Sequence, residues 1–80
     1  MEKVNYRVTK SGEVIAVFFG KLRNNKYLCL SLYDNMHFEA DANYLRECTK
    51  KAKGYNISGL NAFLINRGYE PEYKSKMVYK

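Results

Sequence analysis

The sequence predicts an α+β fold: one antiparallel sheet of about four strands, ordered β-β-β-(α)-α-β, with helical cover on one face. Three observations carry this expectation. At 80 residues the chain supports one thin core and no more, since a domain of this size buries only about 60–65% of its unfolded surface. Residues 1–80 are therefore read as a single domain. Residues 4–33 hold three apolar runs of strand length, separated by short polar turns. From Ile57 onward the apolar positions change to helical spacing.

Each element follows from its residues. Val4, Tyr6 and Val8 alternate with Asn5, Arg7 and Thr9, the period of a half-buried strand. Ser11-Gly12 marks a hairpin turn, because glycine accepts positive φ without steric cost. Val14-Ile15-Ala16-Val17-Phe18-Phe19 is apolar throughout, which suits a central strand. A polar loop with Lys21, Arg23 and Lys26 follows. Residues 27–33 (YLCLSLY) then place Leu28, Leu30 and Leu32 on one face. Asp34-Asn35 ends that strand. Residues 36–53 mix charges with apolar groups, and Ala40, Tyr44, Leu45 and Cys48 fit a short helix starting near Asp41. The next helix carries Ile57, Leu60, Phe63 and Leu64 as its apolar stripe and closes on Gly68, with Tyr69 supplying the contact that accompanies such a cap. Gly59 lowers its intrinsic propensity, so docking on the sheet must hold it. After Glu70-Pro71, Tyr73, Ser75, Met77 and Tyr79 alternate with Lys74, Lys76 and Val78 as a final lysine-bearing edge strand.

Composition narrows the function classes. Hydrophobic residues are 46% and charged residues 28%, ordinary for a folded domain. No apolar run approaches the roughly 20 residues of a membrane span, and Met1-Glu2-Lys3-Val4-Asn5 has no signal-peptide h-region. Two cysteines, Cys29 and Cys48, build no disulfide framework. A cytoplasmic protein with no membrane partner is expected. No phosphate-binding loop, dinucleotide fingerprint, EF-hand or heptad appears, and no small-molecule cofactor is expected.

The order of the signals resembles a family of small uncharacterised proteins of bacteriophages, plasmids and other mobile elements. Gly12-Glu13-Val14-Ile15-Ala16-Val17-Phe18 is similar to its G-[ED]-V-I-A-x-F strand. His37-Phe38-Glu39-Ala40-Asp41-Ala42-Asn43-Tyr44 is similar to its H-G-x-A-D-x-x-Y stretch, followed by Thr49 and Ala52. Leu60, Leu64 and Gly68-Tyr69 match its L-x-x-x-L-x-x-x-G-Y helix end. Where that family opens its last helix with T-P-E-E, this chain reads Lys53-Gly54-Tyr55-Asn56. The resemblance implies a fold and a mobile-element setting. It singles out His37, Asp41 and Tyr44 without giving them a role, and it brings no activity.

Four chemistries deserve weighing. His37 is the one histidine, with Glu39, Asp41 and Tyr44 nearby in sequence; a general base and a structural loop histidine both fit, and the structural reading is preferred. Cys29, His37, Asp41 and Cys48 are potential zinc ligands, but lack the paired spacing of a zinc site. No catalytic or metal residue is assigned. The net charge of +6 invites a nucleic-acid reading. Its cations fall in three groups: Lys21, Arg23 and Lys26; Arg46, Lys50, Lys51 and Lys53; and Lys74, Lys76 and Lys80. Tyr27, Tyr33, Tyr55, Tyr73 and Tyr79 lie near them in sequence, and aromatic faces beside cations suit single-stranded bases. Tyrosines are also enriched at protein interfaces.

These readings predict a non-enzymatic accessory protein of mobile-element type. It would bind a partner protein, or itself as a homodimer, through an open sheet face and a basic edge, with modulation of a host system as one such role. The alternative is a basic nucleic-acid-binding module. An enzyme centred on His37 is the minor alternative.

Overall fold

A computed structural model of the chain describes residues 2–76 and residue 79. Strands β1 (Glu2–Thr9), β2 (Val14–Lys21), β3 (Tyr27–Ser31) and β4 (Met36–Ala40) form an antiparallel meander. Helix α1 (Ala42–Glu47), strand β5 (Thr49–Lys51), helix α2 (Ile57–Asn66) and strand β6 (Pro71–Tyr73) follow. The sheet is ordered β4-β3-β2-β1-β5, and β6 also pairs with β1. The α+β class with an antiparallel sheet is as expected, but with six strands rather than about four.

The two additional strands come from the segment whose pattern was mixed. Asn35 takes φ +55° at the β3–β4 turn, a left-handed conformation that asparagine tolerates. Met36, Phe38 and Ala40 then alternate with His37 and Glu39 along β4, opposite Ser31, Cys29 and Tyr27. The short helix expected near Asp41 is α1. Asp41 is its N-cap, accepting from the Tyr44 backbone N–H at 2.8 Å, which satisfies one of the helix's unpaired donors. Strand β5 is only three residues long, antiparallel to Arg7, Val8 and Thr9.

Two apolar clusters lie on opposite faces of the sheet. One joins Val4, Tyr6, Val14, Ala16, Phe18, Leu30 and Leu32 to Leu60 and Leu64 of α2. Burying a side chain such as Leu64 contributes roughly 1.5–3 kcal/mol. Ile57 packs against this cluster. Phe63, expected in the same stripe, is instead 45% exposed, with the Arg67 guanidinium 5.7 Å over its ring. The helix starts on Asn56, which caps Ser58, so a capping side chain is present without the T-P-E-E sequence. It ends in a Schellman motif: Gly68 at φ +90° donates to the Ile65 carbonyl and Tyr69 to that of Leu64. Tyr69 then packs on Phe18, centroids 5.2 Å apart.

The other face carries α1 and the C-terminal segment. Ile15, Val17, Tyr27, Cys29 and Ala40 pack there with Ala42, Leu45 and Tyr79. The Arg7 side chain ties this layer together: it donates to the Leu45 carbonyl at 3.0 Å and to the Thr49 carbonyl and hydroxyl at 2.8 and 2.9 Å. Its guanidinium also lies 5.4 Å from the Tyr79 ring centre. The Tyr79 hydroxyl donates to Asn5, whose amide donates to the Lys74 carbonyl. The sheet face treated as open for docking is therefore occupied.

The final strand differs from expectation in extent and direction. It runs over Pro71–Tyr73 and pairs parallel to Glu2, Lys3 and Val4. Proline is tolerated there because it is the first residue of an edge strand. Past Tyr73 the chain leaves the ladder, donating from Lys74 to the Val4 carbonyl. Met77, Val78 and Lys80, to which the expected strand extended, lie outside the described residues.

Candidate nucleic-acid interface

The pleat separates the residues that the sequence grouped around His37. Phe38 and Ala40 point toward the α1 cluster, so His37 and Glu39 point the other way. His37 Nε2 lies 2.6 Å from the Tyr69 hydroxyl, on the α2 side. Glu39 accepts from Asn24 at 2.8 Å. Asp41 is committed to its cap. Asp41, Glu39 and Tyr44 do share a shallow depression of about 340 Å³ with Lys26 and Phe38, but His37 is not among its lining residues. Of the side chains that resemble the family's H-x-x-A-D-x-x-Y stretch, Asp41 and Tyr44 thus stand together while His37 lies apart.

The potential zinc ligands are dispersed in the same way. Cys29 is fully buried beneath α1, where burial pushes its thiol up to about 12. His37 faces away from it, Asp41 caps α1, and Cys48 is the C-cap residue of α1. Among the described residues no group of three or more His, Cys, Asp or Glu side chains is placed to hold a metal ion.

The cations fare differently from one another. Arg46 is exposed but engaged within the fold, donating to the Tyr79 carbonyl at 2.5 Å and to Asn43. Lys21 closes β2, and Arg23 and Lys26 follow it in the β2–β3 loop, on the far side of β1 from β5. Lys26 belongs to the depression shared with Glu39 and Asp41, so acids accompany it. Lys74 is paired with Glu72 at 2.9 Å; that hydrogen bond holds the Glu72 carboxyl below its usual range. Lys50, Lys51 and Lys53 are exposed and form no ion pair among the described residues.

Lys51 and Lys53 border a gap in the sheet edge, while Lys50 lines a neighbouring depression with Lys10 and Glu47. Strand β6 covers the outer edge of β1 at Glu2, Lys3 and Val4, and β5 covers it at Arg7, Val8 and Thr9. Between them Asn5 and Tyr6 lie in a notch of about 250 Å³. Lys51, Ala52 and Lys53 form one wall, Tyr73 and Ser75 the other, and Tyr55 and Ile57 complete it. Among the described residues no acidic side chain lines it. Tyr55 and Tyr73 are 41% and 37% exposed. Tyr73 is stacked on buried Tyr6, centroids 5.8 Å apart and planes 15° from parallel. The Tyr6 hydroxyl donates to Asn61 of α2, and burial holds its proton far above the usual phenol range.

Of the tyrosines singled out in the sequence, Tyr27 and Tyr79 are buried and their rings meet edge to face at 5.7 Å. Tyr33 is 70% exposed beside the β3–β4 turn, on the opposite side of the sheet order from β5. Tyr55 and Tyr73 combine exposure with Lys51 and Lys53 on one notch. Asn5 and Tyr6, the floor of the notch, carried no sequence signal beyond strand alternation; their position depends on two short strands sharing one edge.

No helix of the described residues is long and apolar enough to cross a membrane. Comparison with protein-family models, with curated proteins and with solved structures finds no match, so the functional reading rests on this chain's own residues.

Proposed function

We propose that this protein is a small non-enzymatic binding module that holds nucleic acid along its β5 edge, as an accessory factor of the mobile-element type its sequence resembles. The observation that carries the reading is the placement of exposed Lys51 and Lys53 on a notch with no acidic lining among the described residues, with exposed Lys50 next to them on β5. Phosphate contacts of this kind release counterions, so binding must strengthen as salt falls. Packing of α1 and Tyr79 on the second sheet face favours the edge over that face as the binding surface. The separation of His37 from Asp41 and Tyr44 supports reading the module as non-enzymatic.

The test is anisotropy of labelled single- and double-stranded oligonucleotides at about 50 mM and about 200 mM salt. Binding at low salt that weakens at high salt is expected. Combined Lys50→Ala, Lys51→Ala and Lys53→Ala should flatten the logarithmic salt slope by about 2–3. Absence of binding at the lower salt would remove the reading.

One observation favours a second reading, pairing with another copy of this chain. Strand β4 ends the sheet order, and Met36 on it and Tyr33 beside it are 64% and 70% exposed. Unpaired strand edges template such association. Sedimentation that shows one monomeric species at all protein concentrations would dismiss it.

A further inference from the structure

We infer that the notch between β5 and β6 is a base-binding site for single-stranded nucleic acid, with Tyr73 and Tyr55 stacking on bases while Lys51 and Lys53 take the phosphates. This rests on the nucleic-acid function proposed above and names the form of strand it selects.

Three features point to bases rather than to phosphate alone. Tyr73 is one layer of an existing stack: its inner face lies on Tyr6, and Tyr6 is buried and tied to Asn61. A base added to the outer face meets a ring whose orientation is already fixed, so little side-chain entropy is lost on binding. Tyr55 stands on the same notch, next to Gly54 at φ +81°, a left-handed backbone that turns the chain sharply between Lys53 and the start of α2. Finally, Ser75 is an exposed polar side chain on the wall of the notch. At about 250 Å³ the space is below the roughly 300–1,000 Å³ that encloses a drug-sized ligand. It suits an open planar group.

Duplex DNA keeps its bases stacked internally and offers the notch only phosphates. A single strand presents free base faces together with the same charge. The strand type therefore separates stacking from charge, and an abasic strand, which retains phosphates without bases, separates them a second time.

The test measures affinities of a thymidine oligonucleotide, an abasic oligonucleotide of equal length and a duplex for the wild type, Tyr55→Ala, Tyr73→Leu and Tyr73→Phe. Stacking on one ring contributes enough that its loss should weaken thymidine-strand binding between about fivefold and about a hundredfold. Tyr73→Phe should bind as the wild type does, while duplex and abasic binding should be unchanged in all variants. If Tyr73→Leu fails to fold, Tyr55→Ala, in an exposed loop, decides alone. Tyrosine variants that bind the thymidine strand like the wild type, or a wild type that does not distinguish it from the abasic strand, would overturn the stacking site. Salt-dependent duplex binding would then leave the charged edge standing, whereas no binding by any probe at low salt would sink both.

Discussion

Asp41 and His37 show how one sequence neighbourhood separates into unrelated jobs. Asp41 caps α1, and removal of an N-cap side chain costs about 1 kcal/mol. His37 is exposed and joined to the Tyr69 hydroxyl at 2.6 Å, an interaction at the surface. Thermal melts should therefore show Asp41→Ala clearly destabilised and His37→Ala within about 0.5 kcal/mol of the wild type. A His37→Ala protein that loses more than Asp41→Ala would contradict these assignments. Buried protons set a second residue-scale expectation. Burial pushes the Tyr79 phenol up to about 12, partly opposed by the Arg7 guanidinium, and pushes the Cys29 thiol to about 12 as well. Both groups hold their protons more tightly folded than unfolded. Their contribution to stability is complete below about pH 9 and is lost as pH rises through about 12. Melting temperature should stay level to about pH 9 and then fall. Tyr79→Phe, which cannot ionise, should fall less steeply above about pH 10; identical slopes for the two proteins would refute the role given to the phenol.

At the scale of elements, α2 is a helix held by its surroundings. Gly59 sits in its first turn, and an added Cβ would meet only the Asn56 side chain, at 3.7 Å or more. Alanine fits that position and narrows the unfolded ensemble. Gly59→Ala should stabilise the protein by about 0.5 kcal/mol, while Gly68→Ala, forced to φ +90°, should destabilise it by about 1 kcal/mol; chemical denaturation reads both. Equal effects of the two substitutions would contradict the distinction. The same elements show what was legible beforehand. Helix α2 could be located because Ile57, Leu60 and Leu64 repeat at helical spacing and Gly68 ends it. The Ser11-Gly12 turn and the first three strands were equally visible in their alternation. Strand β4 carries a readable signal, Met36, Phe38 and Ala40 after Asp34-Asn35, but the charges that follow obscured it. Strand β5 has three residues, too few for any period to emerge. Its pairing is decided by the backbone of β1, which no local pattern reports.

Across the whole molecule, the sheet carries packing on both faces. Helix α2 buries one face and α1 with Tyr79 buries the other. Asn5 holds Lys74 and Tyr79, and Arg7 and Arg46 hold Tyr79, against the α1 side of the sheet. On the proposed function, binding therefore falls to the sheet edge. The candidate surface was only half visible in the sequence: Lys50, Lys51, Lys53, Tyr55 and Tyr73 were among the singled-out residues. Their convergence depends on β6 returning parallel to β1 beside β5, and Arg46, next to these lysines in sequence, is engaged by Tyr79 and Asn43. The most direct test of the account is a titration of ¹⁵N-labelled protein with a thymidine oligonucleotide, followed by amide shifts. The account predicts shifts concentrated at Lys51, Lys53, Gly54, Tyr55, Tyr73 and Ser75. Shifts centred instead on Arg23 and Lys26, or on β4, would contradict it.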